Sequence, residues 1–294
     1  MGPFSLEAPF PIPELNEIAV HQPANLQFEF GDVPRYLKGA LAEGQRWSAT
    51  KSQYVLHVED VASFWVRDGC SVTIQLASDS CMSDVRAYLL SPVFATLCHQ
   101  SGRFALHASA IQIGEQVVAF VGHSGAGKST LVACLARKGY SVISDDICLV
   151  EDVPLSEPSV VPVAPSIKLW KRTLDLLGEG QKDLPRVHSK YDKYRLPVVE
   201  VSDRFPLRHI IFLGWDRVTT APAIRPLDKV TALAKMMDFT HQAYLVKASS
   251  RRRENFELWG KVLARADASE LIRPRDVGQL DEVVAILEEY FANL

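Results

Sequence analysis

Gly122-His-Ser-Gly-Ala-Gly127-Lys128-Ser129 sets glycines, a lysine and a hydroxyl in the order G-x-x-x-x-G-K-[ST]. Residues of these types at this spacing handle polyphosphates. The glycines let successive backbone N–H groups turn inward and let phosphate oxygens come close. Lys128 sets an ammonium against the β and γ phosphates, and Ser129 offers a hydroxyl to Mg²⁺. A helix opening at Lys128 adds the positive end of its dipole. The expected cradle is Gly122, Ser124, Gly125, Ala126, Gly127, Lys128, Ser129 and Thr130, with ATP and Mg²⁺ as its ligands. His123 fills an unspecified position of the motif and is expected to face solvent.

A second group of chemical residues follows at Ser144-Asp145-Asp146, with Asp145 seventeen positions after Lys128. The pair is expected at the end of a strand, and in open α/β sheets the carboxyl ends of strands line the ligand crevice. One carboxylate would hold Mg²⁺ and the other would accept the proton of an attacking hydroxyl. Adjacent residues on one backbone point in different directions, which suits two tasks. Which aspartate takes which task stays open.

The elements around these residues fit that chemistry. QVVAFV is an apolar strand directly before the glycine turn, and STLVACLARKGY reads as a helix ending at Gly139. SVISDDICLV reads as the next strand, so strand, loop, helix and strand form a βαβ unit with a parallel sheet. Upstream, FALHASAIQI and QVVAFV are two strands hinged at Gly114, with His107 and Ser109 on the first. Before them, SDVRAYLLSPVFATLCHQSG carries apolar residues at helical spacing, with Ser83 as its expected N-cap and Pro92 as a kink. LQFEF, YVLHVE, ASFWVRD and SVTIQLA alternate as short antiparallel strands, preceded by a proline-rich arm or edge strand. Downstream come a short helix near IKLWKRTLDLLG, a buried strand HIIFLGW, and helices from about Val230. The fold class is thus α/β. A small β-rich N-terminal domain is expected over 1–80 and a nucleotide-binding domain over 81–294.

Composition removes other classes. With 32 Lys and Arg against 35 Asp and Glu, the net charge of -3 argues against nucleic acid or a membrane surface as the partner. Five cysteines without a C-x-x-C pair suggest free thiols, not a disulfide framework or zinc knuckle. The N-terminus lacks a basic segment followed by an apolar run, and no apolar run reaches the roughly 18 residues of a spanning helix. A cytoplasmic location is expected. Arg251-Arg252-Arg253 is expected to be a solvated helix face, and Trp65, Trp170, Trp215 and Trp259 to be core or interface aromatics.

The motifs also carry a resemblance. LHAS ahead of the loop, the loop, and then GYSVISDD resemble the HPr kinase/phosphorylase family of P-loop kinases. Val61 to about Leu213 resembles more closely the HPr-kinase-related proteins of peptide-modification clusters, lasso-peptide kinases included. The pieces are RDGCSVTIQL, DVRAYLLSPVFATLCHQSG, LHASAIQIGEQVVAFVGHSGAGKSTL, KGYSVISDD, IKLW and DKYRLPV. The resemblance implies an HPr kinase C-terminal-domain-like core and an ATP-dependent kinase acting on a serine hydroxyl of a peptide or protein; the alternatives are a nucleotide-binding regulatory module without phosphotransfer and a small-molecule kinase or carboxykinase-like enzyme. It implies Asp145 as base and Asp146 as metal partner, with the exchange left open. His107 would orient groups near the γ-phosphate, and Lys193 and Arg195, read as a polar loop, would bring positive charge to the transferring group. The chain departs from authentic HPr kinases at Thr130, where they carry Glu, and in VVEVSDRFPLRHIIFL, where they carry a signature of the type LEIRGLGIINV. Both departures argue against HPr itself as the acceptor. A homo-oligomer is compatible with the sequence.

Overall fold

The computed structural model describes residues 5–15, 25–152, 156–163, 166–181, 183–199, 201, 203–216, 218–248, 251–274 and 279–294. The alternating N-terminal segments form one seven-stranded sheet. Its strands are β1 (Leu6–Glu7), β2 (Leu26–Phe30), β3 (Ala42–Gly44), β4 (Trp47–Ala49), β5 (Gln53–Val58), β6 (Ala62–Arg67) and β7 (Ser71–Leu76), in the order β1-β2-β7-β6-β5-β4-β3. In β6 every second residue is buried, so Ala62, Phe64 and Val66 face inward. The arm contributes β1, a two-residue edge strand parallel to β2.

The apolar helix ahead of the glycine loop closes this sheet. It runs as α1 (Met82–Tyr88), a π turn (Leu89–Val93) and α2 (Phe94–Gln100). Pro92 cannot donate into the ladder, and the helix passes through a π turn around it. The N-cap position is Cys81, with no side-chain hydrogen bond; Ser83 lies inside the first turn and does not cap. Val85, Leu89, Val93 and Leu97 share a core with Phe64, Val72 and Ile74 of the sheet. Residues 77–81 connect β7 to α1, and the helix packs back onto the sheet. Ile147, Leu149 and Val161, from beyond the aspartates, join the same core.

The remainder is built around a nine-stranded sheet: β8 (Phe104–Leu106), β9 (Ala108–Ile113), β10 (Gln116–Val121), β11 (Val142–Ser144), β12 (Cys148–Glu151), β13 (Ser159–Val161), β17 (Phe205–Trp215), β18 (Ala223–Pro226) and β19 (Asp267–Arg273). β14 (Ser166–Trp170), β15 (Arg186–His188) and β16 (Tyr191–Pro197) make a small third sheet. The helices are α3 (Lys128–Arg137), α4 (Lys171–Leu177), α5 (Lys229–Phe239), α6 (Ala243–Ala248), α7 (Arg252–Arg265) and α8 (Leu280–Phe291). The sheet is mixed, not wholly parallel. β9 folds back on β10 as an antiparallel hairpin and sits between β10 and β11, so the expected βαβ unit spans an intervening strand.

Two antiparallel steps leave β11 running the same way as β10. β17 is parallel to both β10 and β19. The carboxyl ends of β10, β11, β17 and β19 consequently open on one side of the sheet. α3 and α8 cover one face around Leu131, Val132 and Leu287, while α5 and α7 cover the other around Met236 and Trp259. Burial of each such aliphatic side chain contributes about 1.5–3 kcal/mol, which holds the sheet rigid beneath the loops. Among the described residues no helix is long and apolar enough to cross a membrane, and all five cysteines are free.

Candidate active site

β10 delivers the chain into the turn at Gly122, and α3 receives it at Lys128. Gly125 and Gly127 both adopt the left-handed region, at φ +80 and +83. At Gly127 the requirement is double, because a Cβ would lie 2.7 Å from Arg273 Nη2. That guanidinium donates to the Ala126 carbonyl and clamps the turn from the end of β19. Lys128 is buried, and its Nζ donates to the carbonyls of Gly122 at 2.7 Å and His123 at 3.2 Å. Burial pushes the Lys128 ammonium down to about 8, against the opposing pull of Asp146 and Asp145. His123 is exposed, with its ring edge-on to Phe239 at 4.9 Å.

The two aspartates follow β11 directly and diverge. Asp145 Oδ1 accepts from Ser129 Oγ at 2.7 Å and from Ser109 Oγ at 2.6 Å, and Oδ2 accepts the Lys168 backbone N–H at 2.8 Å. Asp146 has φ +75, a backbone state that a short polar side chain tolerates better than most. This turn swings its carboxylate to the opposite side. There Oδ2 accepts from Lys168 Nζ at 2.8 Å and Ser91 Oγ at 2.9 Å, while Oδ1 lies 3.4 Å from His107 Nδ1. Burial opposes ionisation of Asp146, but the Lys168 ammonium and the His107 contact outweigh it and hold the carboxyl well below the usual range.

His107 sits at the bend between β8 and β9, not within a strand. Its Nδ1 is 3.1 Å from the Asp146 carbonyl, which can only accept, so Nδ1 carries the proton. His241 stacks edge-on against it at 5.5 Å. Burial pushes His241 down to about 4, leaving it neutral near pH 7 despite the nearby Asp146. The nitrogen and oxygen ligand atoms of His107, Asp146 and His241 lie within 4.8 Å of one another.

Lys193 and Arg195 belong to β16, a strand rather than the expected loop. They pair across with Trp170 and Lys168 of β14. Period-two alternation turns Ile167, Leu169 and Tyr194 into the core against α3, which leaves Lys168, Lys193 and Arg195 on the opposite face. Lys193 is pushed down by burial, with Asp146 and Asp145 pulling the other way, and its Nζ lies 5.7 Å from the Trp170 ring centre. Arg195 is buried and turned toward the arm, with Nε 3.8 Å from Glu14 Oε1. Glu14 is itself gripped by Arg86 Nε at 2.8 Å.

The structure thus brings Lys128, Ser129, Asp145, Asp146, His107 and Lys193 into one neighbourhood, with Arg195 at its margin. Sequence reasoning missed Lys168, Ser91, His241 and Arg273. Lys168 was accessible through the alternation of SIKLW; His241 and Arg273 lie more than a hundred residues from the loop in sequence, with no local signal. Arg252 and Arg253 are exposed on α7, with Arg253 paired to Glu257, but Arg251 precedes the helix, is only partly exposed and donates to the His99 carbonyl, so the expected solvated face does not include it. Of the tryptophans, Trp259 is core, but Trp170 and Trp215 are half-exposed, at 52% and 48%.

No protein-family model matches the chain, and no curated protein matches it in sequence. Among solved structures the chain is similar to the HPr(Ser) kinase/phosphatase from Coxiella burnetii, at 13% identity and a TM-score of 0.33. The match covers 64% of this chain and 91% of that one.

Proposed function

We propose that the protein is an ATP-dependent serine kinase that transfers the γ-phosphoryl group to a serine hydroxyl of a peptide or protein, ribosomally made precursor peptides (lasso precursors among them) being the favoured class. The observation that carries this reading is the convergence of Ser129 and Ser109 on Asp145, with Asp146 beside it in a separate basic environment. A module that only bound nucleotide would need one carboxylate for its metal, whereas two stand here with different partners.

The oxygen donors of Ser129 and Asp145 are hard ligands that already share a hydrogen bond, which fits Mg²⁺. When bound, Mg²⁺ would neutralise phosphate charge and polarise the γ-phosphoryl group. The backbone N–H groups from Ser124 to Thr130 hold the polyphosphate, and Lys128 exchanges its carbonyl partners for phosphate oxygens. We assign the base to Asp146 and the metal ligand to Asp145, the exchange of the assignment by resemblance. Asp146 Oδ1 takes the serine proton as the Oγ–P bond forms and the bond from phosphorus to the ADP oxygen breaks. A carboxylate of low basicity suffices, because phosphoryl transfer is largely dissociative and the proton moves late. Lys168 and Lys193 offset the charge that spreads over the transferring oxygens. His107, protonated at Nδ1, orients Asp146.

The test is mass spectrometry of serine-containing peptides after incubation with the protein and Mg²⁺-ATP. A gain of one phosphoryl group on serine is expected. Nucleotide binding with no such gain on any peptide or protein acceptor would remove the kinase reading.

A further inference from the structure

A cavity of about 900 Å³ opens beside the phosphate loop, on the side away from Asp146. Gly125, Ala126, Gly127 and Thr130 wall its inner end. Trp215, at the end of β17, and Leu176, on α4, line it farther out. Its size lies within the range of small-molecule sites, which are largely apolar with a few polar groups. None of His107, Asp146, Lys168 or Lys193 borders it.

We infer that this cavity holds the nucleoside of the nucleotide, with the base stacked on the indole of Trp215. The inference rests on the nucleotide reading of the loop and specifies how the rest of the ligand is held. Three observations lead there. The carboxyl ends of the parallel strands β10, β17 and β19 face the same side of the sheet, and ligands of α/β sheets sit outside such ends. Ser124, Gly125, Ala126 and Gly127 of the loop line the cavity, so a chain of phosphates bound there borders it. Trp215 is a large ring, 48% exposed, on the cavity wall at the end of β17. An indole face accepts any nucleobase, and its flat geometry costs little rotamer freedom to order. The phosphate tail would then divide the site in two, with the nucleoside on the Trp215 side and the acceptor hydroxyl on the Asp146 side.

Calorimetric titration of the full-length protein with Mg²⁺-ATP and, separately, Mg²⁺-tripolyphosphate tests this. Trp215→Ala should weaken ATP binding roughly tenfold, the scale of losing one stacked base. It should leave tripolyphosphate binding unchanged, since that probe occupies the loop alone. Trp215→Phe, which keeps an aromatic face, should retain most of the ATP affinity. Unchanged ATP binding in Trp215→Ala, an equal loss for both probes, or an equal loss in Trp215→Phe would overturn the stacking site. If the wild-type protein binds neither probe, the nucleotide reading itself fails; if it binds both and a Trp215 variant gives one of these contrary results, the nucleotide reading stands without this subsite.

Discussion

Ser129 Oγ lies 2.7 Å from Asp145 Oδ1, although the two residues are sixteen positions apart and arrive on different elements. One lies in the first turn of α3 and the other directly follows β11. They meet because β11 runs alongside the β9–β10 hairpin in a direction that brings its carboxyl end to the mouth of the turn. Asp146, one residue on, has its backbone in the left-handed region and is thereby turned away from Ser129 toward Lys168. A single backbone turn separates a carboxylate suited to a metal from one suited to a proton.

Lys168 should set the acid limb of the pH–rate profile. Its ammonium, 2.8 Å from Asp146 Oδ2, keeps that carboxyl ionised to low pH. Removing the charge in Lys168→Met raises the Asp146 pKa, so the acid limb of kcat/KM should move to higher pH. Lys168→Arg should restore most of the wild-type profile. An unmoved limb in Lys168→Met would mean that another group governs it.

Gly127 and Gly125 should differ in their tolerance of a side chain. Both have positive φ, but the space around Gly125 is open, whereas a Cβ at Gly127 would strike Arg273. Gly125→Ala should cost about 1 kcal/mol of stability, and Gly127→Ala about 2–3 kcal/mol, because strain and clash act together. Urea denaturation at matched pH measures both. Equal losses would show that Arg273 gives way freely.

His99 should make the protein acid-sensitive. Burial pushes its imidazole down to about 4, while its Nε2 bonds the His241 carbonyl at 2.5 Å. The folded state therefore holds His99 neutral where the unfolded chain, with a pKa near 6.5, takes up a proton. That stability is fully present above about pH 6.5 and is lost as pH falls from there toward 4, on the order of 2–3 kcal/mol in all. His99→Asn should lower stability at pH 7 but flatten its decline between pH 6.5 and 4.5. An unchanged slope in urea midpoints across that window would contradict the assignment.

Local pattern was enough for the strand–turn–helix around Gly122–Ser129, since glycine spacing and an apolar run determine conformation within a few residues. The alternating N-terminal strands and the apolar helix over 82–100 were readable for the same reason. What pattern could not supply was pairing. Nothing within FALHASAIQI says that it splits at His107, with β9 between β10 and β11 and β8 beside β12, because that order depends on distant partners. DASELIR, the strand β19, went unread between two helices: its alternation is weak, and its burial comes from pairing with β17. Arg273 and His241 were hidden with those long-range contacts. Lys193 and Arg195 looked like a loop because SKYDKYRL is polar on one face, and only pairing with β14 makes it a strand.

The division of labour between the aspartates is tested most directly by comparing Asp145→Asn and Asp146→Asn in Mg²⁺-ATP binding and in phosphoryl transfer to a serine acceptor. Asp146→Asn should bind Mg²⁺-ATP within about twofold of wild type, yet transfer about 10²–10⁴-fold more slowly, as loss of a general base requires. Asp145→Asn should lose Mg²⁺-dependent binding. Normal transfer by Asp146→Asn, or a binding loss in it as large as in Asp145→Asn, would contradict the account.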